Sequence, residues 1–569
     1  HLDSTALSYF DLRASSGNRY MVSNKFASLA FNIVYGPELD EALVRFTGYT
    51  GRPAMTPPWA YGAWMSSDHW RDGGELRYVV TRMRELNIPG SVFVFDSPWE
   101  IAYNDLAWNM TQFAASGTYE GSSWSGFASL SEMMTFFRSN GWKVVCWMTP
   151  FINVNSNNEG VPGANLGVAS TYAFASNNGY LVRNGSINGP ALVAPWWKGN
   201  GSPVDFTRPT AAQWWMMQLS NLIAQSGGVI GGWKTDDGET SNGGNVYIPE
   251  TAHYADGRTG REMQNGYCVE YHRTVWNVLG TNGVLFARSG FTGSQAYPGY
   301  WSGDNEPNFG QENGLLSVMV AGQSAGLSGF SIWGHDIGGY QVQSNPSINL
   351  TNLFMRWTQF GAFSPLFQLH RQVAGNQQYP WSYGAAAVDN YREYARLHQA
   401  LFPYIYTYAK MAADTGRPII RHPVLMHPAD TNTYGINHAY YFGDAFYVAP
   451  ATAPNQVTRT LYLPPGRWND YWTNRVYTGP GLMIWTNTDQ TKMAVFVREG
   501  AIIPMLPGAV QTLLDAGYVG HTNLAIPGDA LEFVMYPAAS SSFTLYDGTS
   551  AHCASNGTVV RATITALPR

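Results

Sequence analysis

Short apolar runs alternate with longer amphipathic stretches through the middle of this 569-residue chain. Eight such runs are bounded by glycine and proline, at residues 61–64, 91–95, 143–147, 228–233, 284–287, 299–301, 326–333 and 363–369. Runs without polar alternation are typical of buried parallel strands. Helical patterns at 74–86, 130–140 and 211–225 separate the early runs. The pattern predicts an α/β fold, a (β/α)8 TIM barrel, over residues 53–417.

The pattern changes on both sides of the predicted barrel. After residue 417, short β-like runs separated by turn residues replace the helical patterns, at 439–449, 458–463, 493–497, 531–536 and 542–546. They predict antiparallel β domains over residues 418–503 and 504–569. Residues 1–52 contain an apolar segment at 26–35 and a predicted helix at 38–47. Inside the barrel, residues 153–207 and 239–262 are long for loops, so we interpret both as insertions on the active-site face.

Composition predicts a large core and an aromatic-lined cleft. Charged residues make up 13% of the chain and aromatic residues 14%, including 21 Trp. A sugar ring stacks well on Trp or Tyr, although any single Trp is more often part of the core. The formal net charge is −6 and there is no Lys/Arg cluster, which argues against nucleic acid or an anionic membrane as a partner. No apolar run approaches the ~18 residues of a spanning helix.

Cysteines and glycosylation sequons set expectations about cofactors and compartment. Cys146, Cys268 and Cys553 cannot form a disulfide framework or a Cys-X-X-Cys pair, which argues against zinc and thiol chemistry. We predict no metal or organic cofactor, because the sequence shows no ligand cluster and no phosphate-binding glycine loop. Five Asn-X-Ser/Thr sequons and the low charge predict a secreted glycoprotein. The sequons begin at Asn109, Asn184, Asn200, Asn349 and Asn556. The first residue is His1 and no signal peptide is visible, which indicates a processed or truncated chain.

Two acidic segments that follow apolar runs carry the strongest functional signal. Asp236 lies in the segment Trp-Lys-Thr-Asp-Asp-Gly-Glu at 233–239, and Asp304 lies in Trp-Ser-Gly-Asp-Asn at 301–305. Residues after the strands of such a barrel meet at one mouth. A pair of carboxyl groups there is what cleavage of a glycosidic bond requires: one attacks or stabilises the sugar carbon, and one protonates the leaving oxygen. A single Asp after a strand is more often a helix cap, so the hypothesis depends on the pair.

Ionisable residues follow most of the predicted strands, which favours one shared pocket over a set of unrelated caps. They are Asp68, Asp96, Asp236, Arg288, Asp304, His335, Asp336 and His370. We interpret Asp68 and His370 as supporting neighbours of the catalytic groups, and Asp336 as a residue that orients its neighbours.

The order of these motifs resembles glycoside hydrolase family 31 over most of the chain. The matching segments are 95–96, 145–147, 232–239, 286–289, 301–304, 333–339, 411–418 and 448–450. The resemblance implies C-terminal antiparallel β-sandwich domains after the barrel. It also implies that residues 1–52 are a remnant of an N-terminal β-sandwich domain with a linker helix. The implied activity is that of a retaining, exo-acting α-glycosidase that works by double displacement.

The resemblance also assigns roles to individual residues. Asp236 corresponds to the nucleophile and Asp304 to the general acid/base. Lys234 and Arg288 are expected near Asp236, because cations hold a nucleophile ionised while the acid needs a raised pKa. The alternative role for Lys234 is an ion pair with a carboxylate in the core. The implied substrate-binding residues are Asp96 on the 4-hydroxyl, His335 on the 2- or 3-hydroxyl, Trp147 and Trp233 as apolar walls, Lys234, Arg288, Trp301 and Asp237. A structural role is the alternative for His335.

Two departures from the family pattern bear on the substrate. Position 237 is Asp, where many relatives carry an apolar or aromatic residue. Asp237 could raise the pKa of its neighbour, contact an extra hydroxyl, point away, or be the attacking group itself. After Asp96, α-glucosidases of the family have an acidic residue two positions on, whereas this chain has Pro98. Proline offers no carboxylate to a hydroxymethyl group, so glucose, xylose and galactose all remain candidates.

Three hypotheses from different classes follow. The leading one is a hydrolase that releases a terminal non-reducing α-linked sugar from oligosaccharides or glycosides. An α-transglycosylase would use the same pair with a sugar acceptor in place of water. A non-catalytic carbohydrate-binding relative is disfavoured because both carboxylates are present. The expected partner is a carbohydrate, with no nucleic acid and no membrane; a separately cleaved N-terminal chain that stays bound, or a homo-oligomer, is a further alternative.

Overall fold

The structure is a computed structural model that describes residues 8–11, 21–24, 31–242, 245–342, 345–373, 379–520, 523–548, 550–553 and 560–565. The apolar segment expected at 26–35 lies partly outside these residues. Ahead of the barrel, strands Ser8–Asp11 and Met21–Asn24 pair antiparallel. Helix Leu39–Thr50 follows, at the position where the sequence predicts a helix.

Eight parallel strands form the central barrel. In chain order they are Ala63–Met65, Val92–Phe95, Lys143–Met148, Ile230–Thr235, Val284–Ala287, Tyr300–Trp301, Trp333–Gly334 and Phe367–Leu369. Each pairs with the next as far as the seventh strand, the eighth pairs with the first, and a parallel bridge from Asp336 to Gln368 joins the seventh to the eighth. Each of the eight predicted apolar runs overlaps one of these strands, so the predicted fold class is confirmed.

Helices alternate with the strands around the barrel. The longer ones are Gly73–Glu85, Leu130–Ser139, Pro209–Gln225, Tyr267–Leu279, Leu315–Leu327, Leu350–Ala362, Ala385–Ala400 and Phe402–Thr415. Local sequence sets where they start: the Asp72 side chain accepts a hydrogen bond from the Glu75 amide at 2.7 Å, and a proline opens Pro209–Gln225. Shorter helical turns are Pro58–Tyr61, Met110–Ala114, Tyr172–Asn177, Gly280–Asn282, Ser294–Ala296, Pro380–Tyr383, Pro423–Met426, Thr431–Thr433 and Ala516–Val519.

A small antiparallel sheet, which we call the insertion sheet, follows the third barrel strand. Its strands are Phe151–Ser156, Ala194–Trp196 and Gly199–Pro203, with Gly199–Pro203 in the middle. After the fourth barrel strand, Ser241–Asn242 pairs with Asn245–Val246. A further hairpin, Gly117–Tyr119 with Ser122–Trp124, lies after the second barrel strand.

Antiparallel sheets follow the barrel. A six-stranded sheet has the order Ile420–Arg421, Tyr440–Phe442, Phe446–Ala449, Ala494–Arg498, Thr458–Asp470, Val476–Thr486. Strands Ile502–Met505, Ala530–Met535 and Val560–Thr565 form the next sheet, and Ser541–Thr544 pairs with Ser550–Cys553. Sequence reasoning missed the edge strand Val476–Thr486, because its residues are almost all exposed or half-buried and Gly-Pro-Gly at 479–481 interrupts it before the apolar residues 482–485.

No helix in the described part of the chain has both the length and the apolar character needed to cross a bilayer.

Candidate active site

A pocket of about 340 Å³ opens at the carboxyl ends of the barrel strands. Its lining residues are Asp68, Asp96, Trp197, Lys234, Asp236, Asn245, Tyr247, Arg288, Trp301, Asp304, Tyr340, Gln341, His370 and Gln372. Six predicted site residues are therefore brought together in one cavity: Asp96, Lys234, Asp236, Arg288, Trp301 and Asp304. This is the position at which (β/α)8 enzymes place their chemistry.

Asp236 directly follows the fourth barrel strand, and neighbouring groups fix its carboxylate. Its amide donates to the Met148 carbonyl at 2.9 Å, which extends the strand pairing by one residue. One carboxylate oxygen, Oδ2, accepts the indole N–H of Trp147 at 2.9 Å. The other, Oδ1, lies 2.8 Å from Arg288 Nη1 and accepts the amide of Asp237 at 2.9 Å. Both oxygens are thus held by donors from three different segments.

These donors keep Asp236 ionised. Burial alone would raise the pKa of Asp236, which is 7% exposed. The positive charges of Arg288 and Lys234, together with the Trp147 hydrogen bond, outweigh burial and lower that pKa below its ordinary value. An ionised carboxylate aimed into a pocket is equipped to act as a nucleophile or to stabilise a positive charge.

Asp304 lies in the loop after the two-residue strand Tyr300–Trp301. Gly303 before it has a φ of 87°, a conformation that glycine adopts without strain. Part of Asp304 is exposed, and the residue contributes to the lining of the pocket. Poor hydration of its carboxyl group and then the negative charge of Asp236 raise the pKa of Asp304 to about 6. The carboxyl groups of Asp236 and Asp304 therefore titrate in different pH ranges.

A buried polar cluster also lines the pocket. Lys234 Nζ lies 2.7 Å from Asp96 Oδ2 and 3.1 Å from His370 Nε2. An ammonium group can only donate, so Nε2 of His370 is the acceptor, and its Nδ1 carries the proton toward Ser66 Oγ at 2.7 Å. Burial and the Lys234 charge hold the pKa of His370 well below its ordinary value, which agrees with a neutral ring. Lys234 Nζ also lies 4.9 Å from the ring centroid of Trp301.

Asp237 is fully buried and does not line the pocket. Its carboxylate pairs with Arg288 and accepts the indole N–H of Trp197 at 3.1 Å. Its φ of 52° is a left-handed backbone conformation that few non-glycine residues adopt, and its carboxylate contacts a different nitrogen of Arg288 from the one that Asp236 contacts. The expectation of a direct substrate contact for Asp237 is therefore replaced by contacts with Arg288 and Trp197. Burial raises its pKa to about 7 against the opposing effect of Arg288.

Three other predicted contacts are not at the pocket surface. His335 is fully buried; it accepts the Trp357 indole N–H at 3.0 Å and stacks on Phe360 at 4.4 Å. Its surroundings match the structural alternative. Trp233 is also fully buried, in the barrel core. Trp147 lies behind Asp236 and contacts it through the indole N–H, so it supports a carboxylate and is not among the lining residues.

Comparison with known proteins decides which family the site belongs to. The model described as "Glycosyl hydrolases family 31 TIM-barrel domain" matches residues 53–408. The model described as "Glycosyl hydrolase family 31 C-terminal domain" matches residues 416–503. The chain belongs to glycosyl hydrolase family 31.

Relatives in family 31 carry names that denote different activities. An isomaltosyltransferase from Sporosarcina globispora is 30% identical over 543 residues, which are 91% of this chain and 47% of that protein. The α-xylosidase XylQ from Lactiplantibacillus pentosus is 30% identical over 531 residues, 89% of this chain and 62% of that protein. The chain thus spans about half to three fifths of the lengths of these relatives.

Solved structures of family 31 enzymes share the fold. A dextranase from Flavobacterium johnsoniae, complexed with glucose, has a TM-score of 0.78 and 26% identity, covering 95% of this chain and 63% of that one. A cycloalternan-degrading enzyme from Trueperella pyogenes, in complex with a covalent intermediate, has a TM-score of 0.73 and 26% identity. That match covers 88% of this chain and 69% of that one.

The pocket also contains residues that sequence reasoning missed or undervalued. His370 and Asp68 follow barrel strands and were detectable by that position, yet they were interpreted only as supporting neighbours. Trp197, Asn245, Tyr247, Gln341 and Gln372 come from insertions and loops, where no periodicity links a residue to the pocket. Among the described residues, no group of three or more His, Cys, Asp or Glu side chains is arranged to hold a metal ion.

Proposed function

We propose that this chain is the catalytic part of a retaining α-glycosidase that releases a terminal α-linked sugar. The observation that carries the proposal is the pair of pocket carboxyl groups with opposite tendencies: cations keep Asp236 ionised, whereas the environment of Asp304 raises its pKa to about 6. A nucleophile and a proton donor must differ in this way.

In the first step, a carboxylate oxygen of Asp236 attacks the anomeric carbon while Asp304 gives its proton to the glycosidic oxygen. The bond between the anomeric carbon and that oxygen breaks, and the leaving group departs as an alcohol. A β-linked glycosyl ester of Asp236 remains. In the second step, Asp304, now ionised, takes a proton from a water molecule that attacks the same carbon. The ester bond between that carbon and Asp236 breaks, which restores the Asp236 carboxylate and releases the α-anomer. The covalent intermediate named for the Trueperella pyogenes relative supports this course.

The polar cluster supplies contacts for the hydroxyl groups of the terminal sugar. Asp96 accepts, the ammonium of Lys234 donates, and Lys234 fixes the ring of His370 beside them. All three line the pocket while each is at most 3% exposed, so a sugar bound there replaces very little water around them. Glucose, xylose and galactose differ in only a few such contacts, and relatives are named for both glucose and xylose substrates.

A panel of nitrophenyl α-glucoside, α-xyloside and α-galactoside tests the proposal. We expect turnover of at least one of them, its loss in Asp236→Ala, and the α-anomer as the first product seen by NMR. A β-anomer as first product would contradict retention. Unchanged turnover in Asp236→Ala would contradict the assigned nucleophile.

A transglycosylase is the second candidate, and the isomaltosyltransferase relative favours it. The same glycosyl ester would form, but the hydroxyl of a second sugar would replace water in the second step. The products at high substrate concentration separate the two: oligosaccharides longer than the substrate indicate transfer, and monosaccharide alone indicates hydrolysis.

We also propose that the protein is extracellular and carries N-linked glycan at Asn184, which is exposed in the first insertion. Asn109 does not suit glycosylation, because it is buried and its side chain donates to the Pro162 carbonyl at 2.8 Å. Mass spectrometry of tryptic peptides after enzymatic deglycosylation would distinguish these two sites; a modified Asn109 with unmodified Asn184 would contradict the proposal. Asn556 lies outside the described residues.

A further inference from the structure

Trp197 stands at the tip of the insertion sheet, between the strands Ala194–Trp196 and Gly199–Pro203. It is one of four aromatic side chains among the pocket-lining residues that the structure describes. The other three are almost covered, since Tyr247 is 3%, Trp301 5% and Tyr340 9% exposed. Trp197 is 40% exposed. It is therefore the aromatic surface that this pocket offers to a ligand.

The ring of Trp197 is fixed from several sides. Its indole N–H donates to Asp237 Oδ2 at 3.1 Å. The ammonium of Lys198 lies 4.4 Å from its ring centroid and is held there by Glu159, with Nζ 2.6 Å from Oε1. Its ring meets those of Trp147 and Trp196 nearly at right angles, with centroids 5.9 and 5.7 Å apart.

Such a ring is prepared for stacking before any ligand arrives. Lys198 lies over one face of the ring, and Trp197 lines the pocket with part of its surface exposed. A side chain held in one rotamer loses little conformational freedom when a ligand binds. The apolar face of a sugar is a suitable partner for a surface of this kind.

The position of Trp197 along the pocket identifies which sugar it meets. Asp96 and Lys234 are both 3% exposed, and they mark the buried end. Asp304, the proposed proton donor, is exposed, and so is Trp197. The proton goes to the oxygen that links the terminal sugar to the rest of the substrate. The next sugar therefore extends toward the exposed part of the pocket lining, to which both Asp304 and Trp197 belong.

We infer that Trp197 is the stacking platform for the sugar on the far side of the cleaved bond, and that Asp237 is the positioning residue that holds this platform. The sugar concerned is the leaving group in the first step and the acceptor when transfer occurs. This inference rests on the proposed function.

Asp237 is suited to that task because it joins two parts of the site. Its carboxylate binds Arg288, which also holds Asp236, and its other contact is the Trp197 indole. The insertion sheet is thereby attached to the strand that carries the nucleophile. A shift of Asp237 would move the platform relative to the reacting bond.

Two donors with the same terminal sugar separate the platform from the chemistry. An α-glycosyl fluoride leaves as fluoride and places no sugar over Trp197, whereas the matching disaccharide does. We therefore compare the ratio of kcat/KM for the disaccharide to kcat/KM for the fluoride. Wild-type turnover of neither donor would refute the proposed function itself and is distinguishable from a failure of the platform.

In Trp197→Ala we expect this ratio to fall by about 10- to 100-fold, mainly through KM for the disaccharide. With the fluoride as donor and a free sugar as acceptor, the proportion of transfer product should fall too. Phe174→Ala is the matched control, because Phe174 is a 53% exposed aromatic on the same insertion and does not line the pocket. It should leave the ratio within twofold of wild type. An unchanged ratio in a folded Trp197→Ala overturns the inference.

Substitutions at positions 197 and 237, alone and combined, test the role of Asp237. Trp197→Phe keeps a ring but loses the N–H, and Asp237→Ala loses the acceptor. If Asp237 acts on the ratio through Trp197, we expect Asp237→Ala to lower it in wild type but to add less than twofold in the Trp197→Phe background. Independent, multiplying effects would overturn the positioning role. Asp237→Asn keeps an acceptor oxygen and should restore most of the ratio. A thermal melt shows whether each variant is folded.

Discussion

The two proposed catalytic carboxyl groups share a pocket but are held in very different ways. Asp236 extends a six-residue strand, and both its oxygens accept hydrogen bonds or an ion pair. Asp304 follows a two-residue strand in an open loop. Within the described part of the chain, no side chain is seen to donate a hydrogen bond to its carboxyl group.

The difference matches the tasks that we assign to the two groups. A nucleophile must stay ionised and keep one orientation, and donors from several segments provide both. A group that gives a proton and then takes one back must not be fixed in either state, because a strong permanent partner would favour one of them. Fixed donors therefore surround Asp236, whereas poor hydration and then the neighbouring negative charge of Asp236 raise the pKa of Asp304.

The largest expected effect comes from removing the Asp236 carboxylate, the group that fixed donors hold in place. In Asp236→Ala, kcat should fall on the order of 10⁴- to 10⁶-fold for every donor, because no covalent intermediate can form. Azide supplied to this variant with a glycosyl fluoride should give the β-glycosyl azide, by a single displacement. An α-azide would assign the nucleophile to another residue.

The next effect concerns Asp304 and depends on the leaving group. In Asp304→Ala we expect a loss of about 10²- to 10⁴-fold on a disaccharide and a much smaller first-step loss on a fluoride, which needs less proton transfer. Azide should here give the α-glycosyl azide, because Asp236 still forms the intermediate. Equal losses on both donors would remove the general acid role from Asp304.

The pH profile sharpens the same contrast without a mutation. Asp304 must be protonated in the first step, so kcat/KM for a disaccharide should decline as pH rises through about 6, its pKa in the folded protein. Asp236 must be ionised, and because its pKa is lowered, activity should persist down to acid pH. Loss of the basic limb in Asp304→Ala, measured on the same disaccharide, would assign that limb to Asp304. Retention of the limb would assign it to another group.

The barrel could be predicted from the sequence because its buried strands have a recognisable hydrophobic pattern. Parallel strands covered on both faces are continuous apolar runs, as in Val92–Phe95, where every residue is buried. The site residues that follow long strands were found by the same logic, Asp236 after Ile230–Thr235 foremost. In contrast, the mostly exposed or half-buried strand Val476–Thr486 is interrupted by Gly-Pro-Gly at 479–481, and it was missed.

The contacts that could not be predicted from the sequence depend on where a side chain points and on packing between residues that are far apart in the chain. His335 and His370 both follow barrel strands, but the former packs against Phe360 and the latter lines the pocket. The strand before His335 has only two residues. The direction of the His335 side chain therefore could not be inferred from the alternation of side chains along a strand. Trp197 reaches the pocket only because three insertion strands pair, and nothing local in the sequence shows that pairing.

A smaller effect tests whether the cation beside Asp236 keeps it ionised. In Arg288→Met, the pKa of Asp236 should rise because a positive charge 2.8 Å from Oδ1 is removed, and the acid limb of kcat/KM should move to higher pH. The loss at the pH optimum should be about 10- to 100-fold. Arg288→Lys is the control, since it keeps the charge without the fork and should restore the acid limb more than the rate. An unmoved acid limb in Arg288→Met would assign that role to Lys234 alone.

The smallest effect comes from the residue that orients Arg288 from its far side. Glu239 Oε1 and Oε2 accept from Arg288 Nε and Nη2, each at 3.0 Å, and Glu239 does not line the pocket. Glu239→Gln keeps one acceptor and leaves Arg288 paired with Asp236 and Asp237. We therefore expect kcat/KM to fall only about fivefold, the equivalent of roughly 1 kcal/mol, with little movement of the acid limb. A loss as large as that of Arg288→Met would mean that the orientation of the guanidinium matters as much as its charge. The positioning of Asp236 would then depend also on residues that do not contact it.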